Sequence, residues 1–177
     1  MSKQKTNIEI INKWITIDPK KIDKSANFLN IIQFYLFNCP VKNINHYSAV
    51  TVNEYGWDKG KLPKLKGDML SDNNLKNRVF ICNNLNDVEL TILNNNLYGN
   101  QFTNEEFVVC WRNEKNIVEA LLYLIRCAFA HRSFRVVKKN NEKYYYLANV
   151  DKGRIKGRAI LKESTLLKWI TNIQNGS

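Results

Sequence analysis

The sequence predicts a mainly α-helical fold with one small β-hairpin, and three stretches predict it. Asp18-Pro19 opens an apolar helix, with Asp as N-cap and Pro at the first helical position. That helix should run to Asn38, before Cys39-Pro40 ends it. Ile117, Ala120, Leu121, Leu124 and Ala128 recur at spacings of three and four, the stripe of a buried helix over 116–128. After His131 the pattern changes. Phe134-Arg135-Val136-Val137-Lys138 and Tyr144-Tyr145-Tyr146-Leu147 flank the polar turn Lys139-Asn140-Asn141-Glu142, which reads as a hairpin.

The remaining elements follow in chain order. Residues 7–17 place apolar residues at 8, 10, 11, 14, 15 and 17 and fit a short strand or a helix equally. The helix to Asn38 is apolar nearly all round, so it must be covered on several sides, in a bundle or at an oligomer interface. Residues 40–68 read as irregular, with His46 to Tyr55 a candidate strand and Gly56 to Gly67 a basic Gly/Pro loop. One or two helices are expected over 69–98. Thr103-Asn104-Glu105-Glu106 has the form of a capping box, opening a helix that holds Phe107, Val108 and Trp111. A basic loop from Lys152 to Gly157 leads to a last helix over 161–173, with Leu166, Leu167, Trp169 and Ile170 facing inward.

The chain has 177 residues, 44% hydrophobic and 24% charged, which fits a single domain over 1–177 with a real core. Its apolar runs are short of the roughly 18 residues of a membrane span, and Met1-Ser2-Lys3-Gln4-Lys5 leads into no apolar signal segment. Cys39, Cys82, Cys110 and Cys127 stand 43, 28 and 17 residues apart with no C-x-x-C and only two histidines, His46 and His131. That spacing argues against zinc and for reduced thiols in a cytoplasmic protein with no membrane partner.

Charge is concentrated. The net charge is +11, yet residues 1–125 hold 15 basic and 13 acidic residues, whereas residues 126–162 hold 11 basic and two acidic. A cationic segment of this density draws a polyanion and releases its counterions on contact. Arg132, Arg135, Lys138, Lys139, Arg154, Lys156 and Arg158 are the expected phosphate contacts, and Tyr145 the expected stacking partner for an unpaired base. A solvated basic face without a partner is the plainer alternative.

No phosphate loop, G-x-S-x-G or H-E-x-x-H occurs. What remains is Arg126 and His131, near the end of the clearest helix and at the start of the basic segment. A histidine can exchange protons near neutral pH, and an arginine grips phosphate with a planar fork. Five helical positions turn through about 500°, which places the two about 140° apart around the axis. They share a face only if the helix ends or tightens between them. Otherwise Arg126 pairs with a carboxylate and His131 caps the helix.

Arg126-x-x-x-x-His131 on the C-terminal part of an amphipathic helix resembles the R-x4-6-H signature of the HEPN superfamily, which includes ribonuclease toxins and antiviral defence proteins. The flanking Ile125-Arg126-Cys127-Ala128-Phe129-Ala130-His131, followed by a hairpin and a last helix, is similar to one HEPN subfamily of bacterial proteins over about residues 117–150. The resemblance implies a HEPN-like helical bundle and a metal-independent endoribonuclease that cuts single-stranded RNA without a cofactor. It further implies a homodimer with Arg126 and His131 as the catalytic residues. The setting would be a toxin or antiviral defence system, with an antitoxin or defence protein as partner. A non-catalytic module that binds nucleic acid or protein is the alternative. Cys127 departs from the polar residue that follows the Arg in many active members. Ser133 stands where toxins adenylylated by their antitoxins carry Tyr.

Overall fold

The computed structural model describes residues 23–41, 50–71, 75–95, 97, 105–113 and 115–176. Their elements are α1 (Ala26–Gln33), α2 (Leu62–Leu70), β1 (Val79–Cys82), α3 (Leu85–Asn94), β2 (Phe107–Trp111), α4 (Ile117–Ala130), β3 (Phe134–Lys139), β4 (Glu142–Asp151), β5 (Arg154–Lys162) and α5 (Glu163–Gln174). A π-helical turn, Phe34–Asn38, continues α1, and a 3-10 helix spans Val52–Tyr55. The strands form one mixed sheet in the order β1-β2-β5-β4-β3, parallel between β1 and β2 and antiparallel elsewhere. The fold is α/β, which corrects the expected mainly α, HEPN-like bundle.

The expected hairpin is present, with β3 and β4 joined through Asn140 (φ 49°) and Asn141 (φ 66°). A third strand was not expected. Lys152 (φ 48°) and Gly153 (φ 75°) make a second two-residue turn with both residues left-handed, and the presumed basic loop becomes β5. The last helix accordingly begins at Glu163 rather than Leu161. The segments Val79–Cys82 and Phe107–Trp111, expected in helices, are strands packed on both faces. Two-sided burial makes their apolar runs continuous and removes the alternation that marks a strand. Glu106, the presumed helix-capping acid, is 1% exposed and accepts the Lys162 backbone N–H through Oε1 at 2.8 Å. Leu62-Pro63, expected in a loop, opens α2. The first helix starts after Ser25, whose Oγ accepts the Phe28 N–H. Residues 7–17, Asp18-Pro19, His46 and Thr103-Asn104 lie outside the described residues.

The sheet separates two apolar layers. Val108, Cys110, Tyr145, Leu147, Ala159 and Leu161 pack with α1, α2, α4 and α5, while Phe107, Val109, Tyr144, Tyr146 and Ile160 pack with Val88 and Ile92 of α3. Nine residues of α4 are buried, so only a stripe of Glu119, Tyr123, Arg126 and Ala130, with Ile117 at its start, keeps solvent contact. Gly157 of β5 permits this depth. A Cβ there would stand 2.9 Å from Leu124 Cδ1, 3.1 Å from the Val109 carbonyl oxygen and 3.2 Å from Cys110 Cβ.

A polar network fastens α1 to the sheet. Lys143 Nζ donates to Asp23 Oδ2 at 2.6 Å and to Ser25 Oγ at 2.9 Å, and lies 3.5 Å from Glu163 Oε2. Glu163 also accepts from the Tyr145 hydroxyl and from Asn27 Nδ2, both at 2.9 Å. Burial alone would raise the Asp23 carboxyl, but the hydrogen bonds from Lys143 and Ser25 together outweigh it and hold it below its ordinary value. The Asp23 bond in turn raises the Lys143 ammonium.

Two outcomes follow from this packing. Gly157→Ala should lower stability by about 1–3 kcal/mol in urea denaturation, because two of the three crowding atoms are a backbone oxygen and a β-carbon. A depressed carboxyl stabilises the fold above its unfolded pKa, and that stabilisation disappears as pH falls through the native value. Lys143→Met should therefore flatten the loss of stability from neutral pH to below about pH 4, read as urea midpoints along that range.

Candidate nucleic-acid interface

Asn116 Oδ1 accepts the Glu119 N–H and starts α4, and the helix runs unbroken through Arg126 to Ala130. His131 is its C-cap (φ −92°, ψ 7°), and Arg132 follows in the left-handed region at φ 56°. The Ser133 N–H bonds the Ala128 carbonyl at 2.7 Å and the Arg132 N–H bonds that of Phe129 at 3.1 Å, the paired bonds of a Schellman ending. Ser133 then accepts the Ala148 N–H at 2.9 Å, which ties the helix end to β4. His131 is exposed and Arg126 half-buried. The helix does not end until Ala130, so positions 126 and 131 stand about 140° apart around its axis.

The surroundings of Cys127 show which cations converge here. Burial raises its thiol, while a hydrogen bond with Tyr123 and the charges of Arg126, Lys156 and Lys115 oppose the rise. The Tyr123 hydroxyl is pushed up to about 12, by burial first and then by Cys127, with Arg126 opposing. Lys115 Nζ sits 4.6 Å from the Tyr123 ring centroid. Lys156 is the extra residue of a β-bulge, between the pairs Asn149–Gly157 and Val150–Ile155. It donates to Asp151 Oδ2 at 2.6 Å and lies 5.6 Å from the Trp111 ring centroid. The Asp151 carboxyl is lowered by Lys156 and, more weakly, by Lys152 and His131. Lys115, Arg126, His131, Lys152 and Lys156 thus surround one end of the sheet beside the solvent-facing stripe of α4.

The other expected contacts distribute unevenly. Arg132 is exposed, and exposed Arg154 donates to Asn86 Oδ1 of α3 at 2.5 Å. Lys138 and Lys139 sit at the opposite end of the sheet, about 30 Å away along the ten-residue β4, with Arg135 between. The basic segment is not one continuous track. Two expectations are corrected by burial. Tyr145 is 0% exposed, its ring 6.4 Å from Phe28 and its hydroxyl on Glu163, so it has no face for a base. Arg158 is 2% exposed inside the sheet's packing, and burial brings its guanidinium down to about 9.

Sequence reasoning missed Lys115, Tyr123 and Trp111. Tyr123 carried a signal, because it precedes Arg126 by three positions and Cys127 by four and so shares their helix face. Lys115 and Trp111 join through tertiary packing and carried none. Among the described residues no group of three or more His, Cys, Asp or Glu could hold a metal ion. No described helix is long and apolar enough to cross a membrane. A cleft of about 390 Å³ at the N-terminal end of α4 is lined by Pro40, Lys59, Asn116 and Glu119 among others, and by none of the expected site residues. Comparison with protein-family models, curated proteins and solved structures finds no match.

Arg132 in the left-handed region carries a steric cost that glycine avoids. Arg132→Gly should stabilise the fold by about 0.5–1 kcal/mol in urea denaturation, whatever it does to ligand binding.

Proposed function

We propose that the chain binds single-stranded RNA at the cationic end of its sheet and cuts it there as a homodimer, with Arg126 and His131 as the catalytic residues. The observation that carries this is the convergence of Lys115, Arg126, His131, Lys152 and Lys156 around the half-buried rings of Tyr123 and Trp111. Cations track a phosphate backbone and aromatic faces accept unpaired bases. Lys138 and Lys139 at the far end fall outside this site.

In the proposed reaction the ribose 2′-oxygen attacks the adjacent phosphorus, and one His131 takes its proton. The P–O5′ bond breaks as the His131 of the second protomer protonates the departing oxygen, leaving a 2′,3′-cyclic phosphate and a 5′-hydroxyl. Arg126 and Lys156 offset the charge that builds on the phosphorane-like transition state. The dimer enters for a chemical reason. Each chain brings one His131 to the site, and the reaction needs one group to take a proton and another to give one, so a complete site draws on two chains. The stripe of Glu119, Tyr123, Arg126 and Ala130 is the face of α4 left open for such contact. Leu29 (58% exposed) and Phe37 (74%) add apolar surface that a second copy would cover. A cytoplasmic toxin or antiviral defence system, held in check by a partner protein, is the matching setting. What supports the activity is these residues and not the helical bundle implied by the HEPN resemblance, which the sheet replaces. That each chain supplies a single histidine here also favours a second reading, binding without cutting.

Cutting of a 5′-labelled oligoribonucleotide in EDTA separates the two. Arg126→Ala and His131→Ala should each lower the cutting rate at least about 100-fold while affinity changes only a few-fold. A mixed dimer with one His131→Ala protomer should lose most activity; a half-active mixed dimer or an active monomer contradicts the shared site. Lys152→Ala with Lys156→Ala should reduce the slope of log affinity against log salt by about 1.4, at roughly 0.7 per phosphate contact. Lys138→Ala with Lys139→Ala should leave that slope unchanged.

A further inference from the structure

We propose that the open edge of β3 is a docking strand for an extended acidic peptide, which would add to the sheet as a sixth strand. β3 ends the sheet order and, among the described residues, pairs on one side only, with β4. Which backbone groups face outward follows from the hairpin. Lys139 and Glu142 close a two-residue turn, so they exchange hydrogen bonds, as do alternate pairs Val137–Tyr144 and Arg135–Tyr146. The Ala148 N–H on the Ser133 carbonyl continues the same rhythm. The N–H and C=O groups of Phe134, Val136 and Lys138 therefore point away from the sheet. They repeat about every 6.8 Å, the spacing an added strand needs.

Natural edge strands are blunted by brevity, proline, a bulge, a cover or charge. β3 is six residues long, contains no proline and keeps an unbroken register with β4. Cationic side chains are the guard that its own sequence supplies: exposed Lys138 on the strand and exposed Arg132 just before it. Such a guard is selective. A second β3 would bring like charges together, whereas a strand bearing Asp or Glu meets complementary charge, so the cations that repel self-pairing admit an acidic partner. Charge chooses the peptide and the backbone ladder holds it. This surface lies outside the proposed cutting site and does not depend on it.

The test uses the full chain and a ten-residue probe peptide alternating Glu with Val and Thr, followed by hydrogen exchange and by titration. Amides of Phe134, Val136 and Lys138 should exchange quickly in the free protein and become protected when the peptide binds. Those of Arg135, Val137 and Lys139 should be slow throughout. Val136→Pro removes an outward N–H and leaves the β3–β4 ladder whole, so it should keep the fold by circular dichroism and weaken the peptide more than about tenfold. Lys138→Glu should weaken it about threefold, as an exposed ion pair does. A peptide N-methylated on alternate residues should bind as weakly as the proline variant. No binding at millimolar peptide, equal binding of the methylated peptide, or protection of the three amides by oligouridylate in place of the peptide would each overturn the proposal.

Discussion

Helix α4 lies so close on the sheet that position 157 has no space for a side chain, and the rest of the architecture depends on that contact. Leu124 Cδ1 stands 2.9 Å from where a Cβ would be. With nine of its residues buried, α4 can turn only one narrow stripe outward, and Tyr123 and Arg126 are on it. The Schellman ending fixes where the helix stops, and the Ser133 carbonyl bonded to Ala148 fastens that stop to β4. His131 is held in this way beside the β4–β5 turn, close to Asp151. A single packing constraint thus sets both motif residues.

The C-terminal helix is locked by aromatic donors that span the chain. The Tyr35 hydroxyl donates to the Leu166 carbonyl at 3.1 Å, Trp57 Nε1 to that of Ile173 at 2.9 Å and Trp169 Nε1 to that of Met69 at 2.8 Å. Each ring buries a large apolar area while its one polar atom satisfies a carbonyl. These bonds hold α5 against the π-helical turn that continues α1, the residues just after the 3-10 helix, and α2. Glu106 and Glu163 complete the junction at the start of α5, on the Lys162 amide and the Tyr145 hydroxyl. Acidic residues at a helix N-terminus also suit its dipole.

How far the sequence is legible depends on burial. α4 is visible because striped burial leaves a period in the residues, and the β3–β4 hairpin because the Asn140-Asn141 turn separates two short apolar runs. β1 and β2 are not, since packing on both faces erases alternation and a short apolar run reads equally as helix. β5 is hidden by its charges: Arg154, Lys156 and Arg158 look like a solvated loop, yet Arg158 is buried and Lys156 is a bulge paired with Asp151. The candidate site is legible only along α4. Arg126 and His131 can be singled out from spacing and charge. Lys115, Trp111 and the Lys152–Lys156 segment join them through strand pairing that no local pattern encodes. Tyr145 misleads for a related reason. Three consecutive tyrosines suggest a surface platform, and all three are buried between layers.

The central claim is that nucleic acid meets the protein at the end of the sheet beside α4 and not along the whole basic segment. Ultraviolet crosslinking of a single-stranded oligouridylate, with the attached residues located by mass spectrometry, tests it most directly. The account predicts adducts on Tyr123, Trp111 and the residues next to them. Adducts confined to the Asn140-Asn141 hairpin tip, or none under conditions in which the RNA is bound, would contradict it.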